Sequence, residues 1–162
     1  MKLYHGSSVI VKKPILLKNQ RPLDFGAGFY TTSNYEQAKR WAKITALRQS
    51  FLCSYVSCYE IDDVYFHSLR ILRFSSANED WLDFITNNRK GIYQVDNFDL
   101  IIGPVADDKT ISVITYYLNG IYNKQEAIVR LLPQNLTDQF VFKTQIAIDK
   151  LRFIESVKYE KN

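Results

Sequence analysis

Two short stretches near the start of the chain hold residue types that can do chemistry at close quarters. In YHGSS, residues 4–8, His5 is one of only two histidines and stands directly before Gly6 and Ser7. In DFGAGFYTTS, residues 24–33, glycines crowd Tyr30, and Thr32 follows it. A neutral imidazole offers one donor and one acceptor. A tyrosine offers an apolar wall with a polar tip, which suits a flat ligand. Other chemistries fail on spacing. Neither histidine lies in a GxSxG nucleophile elbow, so no convincing Ser-His-Asp set can be assembled. His67, in YFHSL, has no acidic or cysteine partner at metal spacing and reads as structural. Cys53 and Cys58, in CSYVSC, fall on opposite faces of a strand, unsuited to bonding each other or sharing a metal. GAG at 26–28 lacks the third glycine and the preceding strand of a dinucleotide turn, and no phosphate loop is present.

Composition sets the frame for these residues. A chain of 162 residues fits one domain, and 46% hydrophobic with 23% charged residues is ordinary for a globular core. Eleven tyrosines and ten phenylalanines supply many candidate ligand walls. The net charge of +4 comes from Lys and Arg scattered along the sequence, which reads as charge for solubility. The ending VKYEKN mixes signs and is no polybasic arm. Few cysteines, no leader pattern at MKLYHGSS and no apolar run near the roughly 20 residues of a membrane span point to a cytoplasmic protein with no membrane partner.

The elements that must position the chemistry follow from local patterns. KLYHG predicts a first strand, and residues 9–28, punctuated by Pro and Gly, predict a long connection. Ser33 with Glu36 three residues on predicts a capping box for a helix running to about Ser50, with Ala38, Trp41, Ala42 and Leu47 on its apolar face. FLCSYVSCYEID predicts a strand and VYFHSLRILRF another. NEDWLDFITNN predicts a helix burying Trp81, Leu82 and Ile85, and FDLIIGPV a short buried strand ended by a Gly-Pro turn. Helices follow at TISVITYYL and KQEAIVRLL, the second opened by an Asn123–Glu126 box. Strand DQFVFK, helix TQIAIDKL and strand RFIESVKY close the chain. This order is α+β, because strands and helices do not alternate as a doubly wound parallel sheet requires.

His5-Gly6 on the first strand, Tyr30 before a capped helix and Gln139 at the head of QFVF resemble the ADP-ribosyltransferase superfold. The likeness is to the His-Tyr branch of poly-ADP-ribose polymerases and diphtheria-type toxins. More narrowly, LYHGS, DFGAGFYTTSNYEQAKRWA, FDLIIGPVADD and DQFVFKTQIAIDKLRF are similar to bacterial, toxin-like ADP-ribosyltransferase proteins, and these segments spread over most of the chain. The resemblance implies one domain over 1–162 built of two small, roughly perpendicular sheets with flanking helices, and NAD bound as substrate in the cleft between them.

By that resemblance His5 bonds the adenosine-side ribose, the backbone of Gly6 pairs with the nicotinamide carboxamide, Tyr30 stacks on the nicotinamide ring, and Ser7 or Thr32 adds a hydroxyl. The implied activity is mono-ADP-ribosyl transfer to a protein or nucleic-acid acceptor, with a small antitoxin protein as a partner if the chain is a toxin. Gln139 departs from the glutamate of the well-known transferases. Its amide accepts a hydrogen bond but brings no negative charge to an oxocarbenium-like state, so chain elongation is not expected. Mono-transfer helped by another acid, transfer to an acceptor that needs little activation, NAD hydrolysis, and an NAD or ADP-ribose binding module without turnover stay open. Asp24, Asp99, Asp107 and Asp108 are the candidate acids, each with an ordinary alternative as a turn or cap residue. Arg40, Arg48 and Arg89 read as solvated helix-face residues, and Trp41 and Trp81 as core.

Overall fold

The computed structural model describes residues 1–17, 23–92 and 97–161. The described elements are β1 (Lys2–Ser7), β2 (Phe29–Thr31), α1 (Tyr35–Arg48), β3 (Cys53–Glu60), β4 (Ile71–Arg73), α2 (Glu79–Arg89), β5 (Leu100–Pro104), α3 (Ile111–Leu118), α4 (Lys124–Leu131), β6 (Asp138–Phe142), α5 (Gln145–Ile148) and β7 (Arg152–Glu160). A 3-10 turn at Asp63–His67 links β3 to β4. One sheet has the order β1-β3-β7, all antiparallel, and the other the order β2-β6-β5-β4, with only β4 and β5 parallel. This is the α+β class expected from the sequence.

The period-2 alternation of strand side chains sorts the core into three packed regions. Phe29, Leu100, Ile102, Phe140 and Phe142 leave one face of the second sheet and meet Leu3 and Tyr59 of the first, so this cluster lies between the sheets. Tyr30, Ile101 and Val141 leave the other face and pack on Trp81, Leu82, Ile85, Ile114, Ala127 and Leu131 of α2, α3 and α4. Ala38 and Ala42 of α1 cover the outer face of the first sheet at Val56, beside Tyr4. The second sheet is therefore buried on both faces. That explains why LII and FVF read as unbroken apolar runs rather than alternating ones.

Several local expectations shift by a residue or a turn, each for a visible reason. Helix α1 is capped by Asn34, whose side chain accepts from the Gln37 N–H; Ser33 is occupied instead, its N–H and hydroxyl both donating to the Asp138 carboxylate. Leu47 is 58% exposed and Trp41 half-buried, since Ala38, Ala42 and Ala46 form the face that meets the sheet. Residues 64–74 give a 3-10 turn and a three-residue strand, because Asp62 accepts from the Val64 N–H and starts a turn there. The closing helix is only Gln145–Ile148, capped by Thr144. The Asn123–Glu126 capping box forms as read.

One buried carboxylate ties three of these elements together. Asp99, just before β5, accepts from the Arg70 backbone N–H, from Arg70 Nε and Nη2, and from the Thr144 hydroxyl, each at 3.0 Å. The guanidinium of Arg70 holds its pKa well below the usual carboxylate range, at about 2. Because the folded pKa is depressed, the stabilisation is complete above the unfolded value near 4 and is lost as pH falls through about 2. Asp99→Ala is expected to lower the thermal midpoint at pH 7 by about 4–8 °C, the equivalent of about 2 kcal/mol for a chain of this size. Thermal unfolding from pH 7 to pH 1.5 should show the gap between variant and parent closing at the acid end.

Candidate functional site

Among the described residues the two sheets are joined by one pair of backbone bonds. Tyr4 N–H donates to the Thr32 carbonyl at 2.8 Å, and Thr32 N–H donates back to Tyr4 at 3.0 Å. In an antiparallel ladder the next such pair would be Gly6 with Tyr30. It does not form. The imidazole of His5 takes the place of the Gly6 amide, and its Nδ1 lies 2.7 Å from the Tyr30 carbonyl oxygen. Alternation turns the N–H and C=O of Gly6 to the same edge as those of Tyr4, past the last bridge between the sheets.

The state of His5 follows from its surroundings. Nδ1 faces a carbonyl, so it carries the proton and donates, which leaves Nε2 with a lone pair. The ring packs against Phe29 with centroids 4.5 Å apart, and desolvation lowers its pKa against the weaker opposing pull of the Tyr30 carbonyl. Burial thus favours the neutral ring. Some of its surface is still exposed, as is that of Gly6 and Ser7. A strand edge with N–H and C=O in one plane fits a carboxamide, and the Nε2 lone pair fits a hydroxyl.

The close approach at Gly6 has a second cause on the opposite face. A Cβ there would sit 2.6 Å from the Ala42 nitrogen and nearer still to the Ala38 carbonyl oxygen, both backbone atoms of α1. Glycine is therefore required by the helix that covers the strand, whatever binds at the edge.

The remaining residues named from the sequence are engaged within the protein. Tyr30 is 9% exposed, its ring in the core beneath α2, α3 and α4. Its hydroxyl donates to the Gly26 carbonyl at 2.6 Å and accepts from the Phe25 N–H at 3.0 Å, which pins the turn at 23–26; burial pushes its pKa up. Thr32 is fully buried and bridges the Asn34 N–H to the Asp138 carboxylate. Ser7 accepts from the Val9 N–H at 3.4 Å. Gln139 is 2% exposed, and its amide donates to the Pro104 carbonyl at 3.4 Å. By alternation with Val141, Gln139 faces the helices together with Tyr30, whereas His5 faces the space between the sheets.

The other candidates divide in the same manner. Asp24 forms an ion pair with Arg89 at 2.8 Å, and Asp107 accepts from the Lys109 N–H in the turn before α3. Asp108 is exposed. Trp81 is fully buried, with its indole N–H on the Pro104 carbonyl. Among the described residues no group of three or more His, Cys, Asp or Glu could hold a metal ion. Asp138 is the acid missed from sequence. It opens β6 beside Gln139 and accepts from Thr32 and Ser33 at the same junction. The signal for it was the hydroxyl run TTS at 31–33, which calls for an acceptor.

The chain belongs to the family described as a protein of unknown function (DUF3990), whose model matches residues 1–153 and so covers the strand junction and every element up to the start of β7. No curated protein and no solved structure matches it. Among the described residues no helix is long and apolar enough to cross a membrane.

Two substitutions separate packing from binding at this site. Gly6→Ala should cost about 1–3 kcal/mol or more through displacement of α1. Tyr30→Phe should cost about 1–3 kcal/mol by leaving the buried Phe25 amide without a partner. Denaturant midpoints check both, and a Gly6→Ala protein as stable as the parent would contradict the α1 contact.

Proposed function

We propose that this member of the DUF3990 family is an NAD-dependent mono-ADP-ribosyltransferase. What carries the proposal is the substitution of the His5 imidazole for the Gly6 amide on the Tyr30 carbonyl. It leaves a peptide edge matched to the carboxamide of nicotinamide, and beside it an imidazole acceptor matched to a ribose hydroxyl. The sequence resemblance to the His-Tyr transferases, together with two sheets and flanking helices, supports the same assignment.

In the proposed reaction the bond between nicotinamide and ribose breaks, and positive charge develops on the sugar. Nicotinamide departs as a neutral base with the electron pair of that bond, an acceptor oxygen or nitrogen forms the new bond at the anomeric carbon, and the acceptor's proton passes to water. Rate arises from holding that state better than bound NAD. The neutral His5 orients the ribose and does not exchange a proton. Gln139 supplies no charge, so polymer growth is not part of the proposal. Asp138, at the strand junction, is the nearest acid in register to that position. Stacking of nicotinamide on Tyr30 would need the ring to leave its packing under the helices. Tyr30 therefore acts here through its carbonyl and through the turn its hydroxyl pins. A second reading, NAD binding without turnover, is favoured by one observation: the Gln139 amide is buried on Pro104.

Incubation of the protein and cell lysate with NAD labelled on its adenylate part tests the assignment, with free nicotinamide and macromolecule-bound label both followed. His5→Ala is the control, because His5 keeps some exposed surface and belongs to none of the three buried core clusters. Retained label that drops at least about tenfold in His5→Ala, with the melting curve kept, is the expected result; about 1.4 kcal/mol of transition-state binding gives that factor. Nicotinamide without retained label would mean hydrolysis, and NAD binding without either signal would mean the second reading. No binding at all would remove the proposal.

A further inference from the structure

Lys and Arg that are scattered in sequence gather in space on the outer face of α1. The helix carries Lys39, Arg40, Lys43 and Arg48 against one anion, Glu36. Arg40, Lys43, Arg48 and the nearby Lys161 are exposed and make no ion pair among the described residues. The one acid on the same rim, Glu160, is already held by Lys158 at 2.9 Å, which lowers its pKa.

Beside these cations the surface is apolar and concave. In the last turn of α1 and just past it, Leu47, Phe51 and Leu52 are 58%, 49% and 77% exposed. They line a hollow of about 190 Å³ with Ala46, Cys53 and Tyr159, and Lys43 and Lys161 stand at its edge. Three large apolar side chains kept in water around a hollow are unusual on a surface unless something covers them. Ser50, at φ +59, is the one non-glycine residue of positive φ among the described residues, and it turns the chain so that Phe51 and Leu52 join the helix end.

We infer that the α1 end and its hollow bind an acidic amphipathic segment of a partner protein, one apolar side chain entering the hollow and flanking carboxylates meeting Lys43, Arg40 and Lys161. Charge complementarity selects an acidic partner, and the hollow selects a protein. A side chain fills a concavity, whereas a lipid surface needs a flat or convex apolar face, and a nucleic acid would stack on a projecting wedge or an aromatic platform rather than enter an apolar hollow. Cations at the rim speed and orient encounter, and the apolar anchor supplies residence time. Nothing in this surface depends on the NAD assignment, since none of these residues belongs to the strand junction.

The test uses the full chain, nitrogen-15 labelled, against four probes. These are a synthetic helical peptide with glutamates flanking a central Leu-Phe pair, the same peptide with lysines for glutamates, phosphatidylserine–phosphatidylcholine vesicles, and an RNA hairpin. The acidic peptide is expected to shift the amides of Leu47, Phe51, Leu52, Cys53 and Tyr159. Its affinity should fall at least about tenfold in Lys43→Glu and in Leu52→Asp, and several-fold from low to high salt. Both substitutions are at exposed positions, and their melting curves show whether the fold is kept. Equal binding of the lysine peptide, acidic-peptide shifts elsewhere, or vesicle or RNA binding through these residues in place of the acidic peptide would overturn the inference.

Discussion

The pair of backbone bonds between Tyr4 and Thr32 is the constraint on which the rest of the structure depends. It is where the two sheets meet, and everything near the candidate site is arranged around its being a single bridge rather than a ladder. On one side α1 presses its Ala38–Ala42 backbone onto Gly6 and fixes the height of β1. On the other side the His5 ring, wedged against Phe29, takes the carbonyl that would have continued the pairing. Thr32 is then held by Asp138, and Tyr30 is held by the turn at 23–26. Each of these contacts would be lost or moved if β1 and β2 zipped further.

Seen energetically, the junction is a place where the protein forgoes a regular backbone pair and keeps an open strand edge. An unpaired peptide costs little while water reaches it, and much once it is enclosed. His5 and Gly6 retain partial exposure, consistent with an edge kept for an outside partner. Burial of the imidazole with its one donor committed fixes the tautomer, so whatever arrives at Nε2 must donate. In the proposed reading the site selects by lone-pair direction and strand register more than by charge.

How much of this was legible in the sequence varies by residue. The strands with dense apolar character, β3, β5 and β6, and the helices with an Asn cap and a clear apolar face, such as α4, follow from local chemistry alone. Ser33 was misread because a capping hydroxyl looks the same in sequence as one claimed by Asp138, more than a hundred residues away. The nearness of His5 to Tyr30 was legible as a suspicion, but the route, imidazole to main-chain carbonyl, was not. The facing of Tyr30 and Gln139 toward the helices depends on which side of the second sheet α2, α3 and α4 cover, and no local pattern encodes that. The basic, apolar end of α1 was hidden for a similar reason. Lys161 reaches it from the far end of β7 only after folding.

The claim at the centre of this account is that the open edge at Gly6 is where a carboxamide-bearing nucleotide docks. Titration of the nitrogen-15 labelled protein with NAD, following the Gly6 amide and the His5 ring resonances, tests it without any requirement for turnover. The account predicts saturable shifts of both at millimolar NAD or below, with the resonances of the α1 end unmoved. Shifts confined to other surfaces, or none at all, would contradict it.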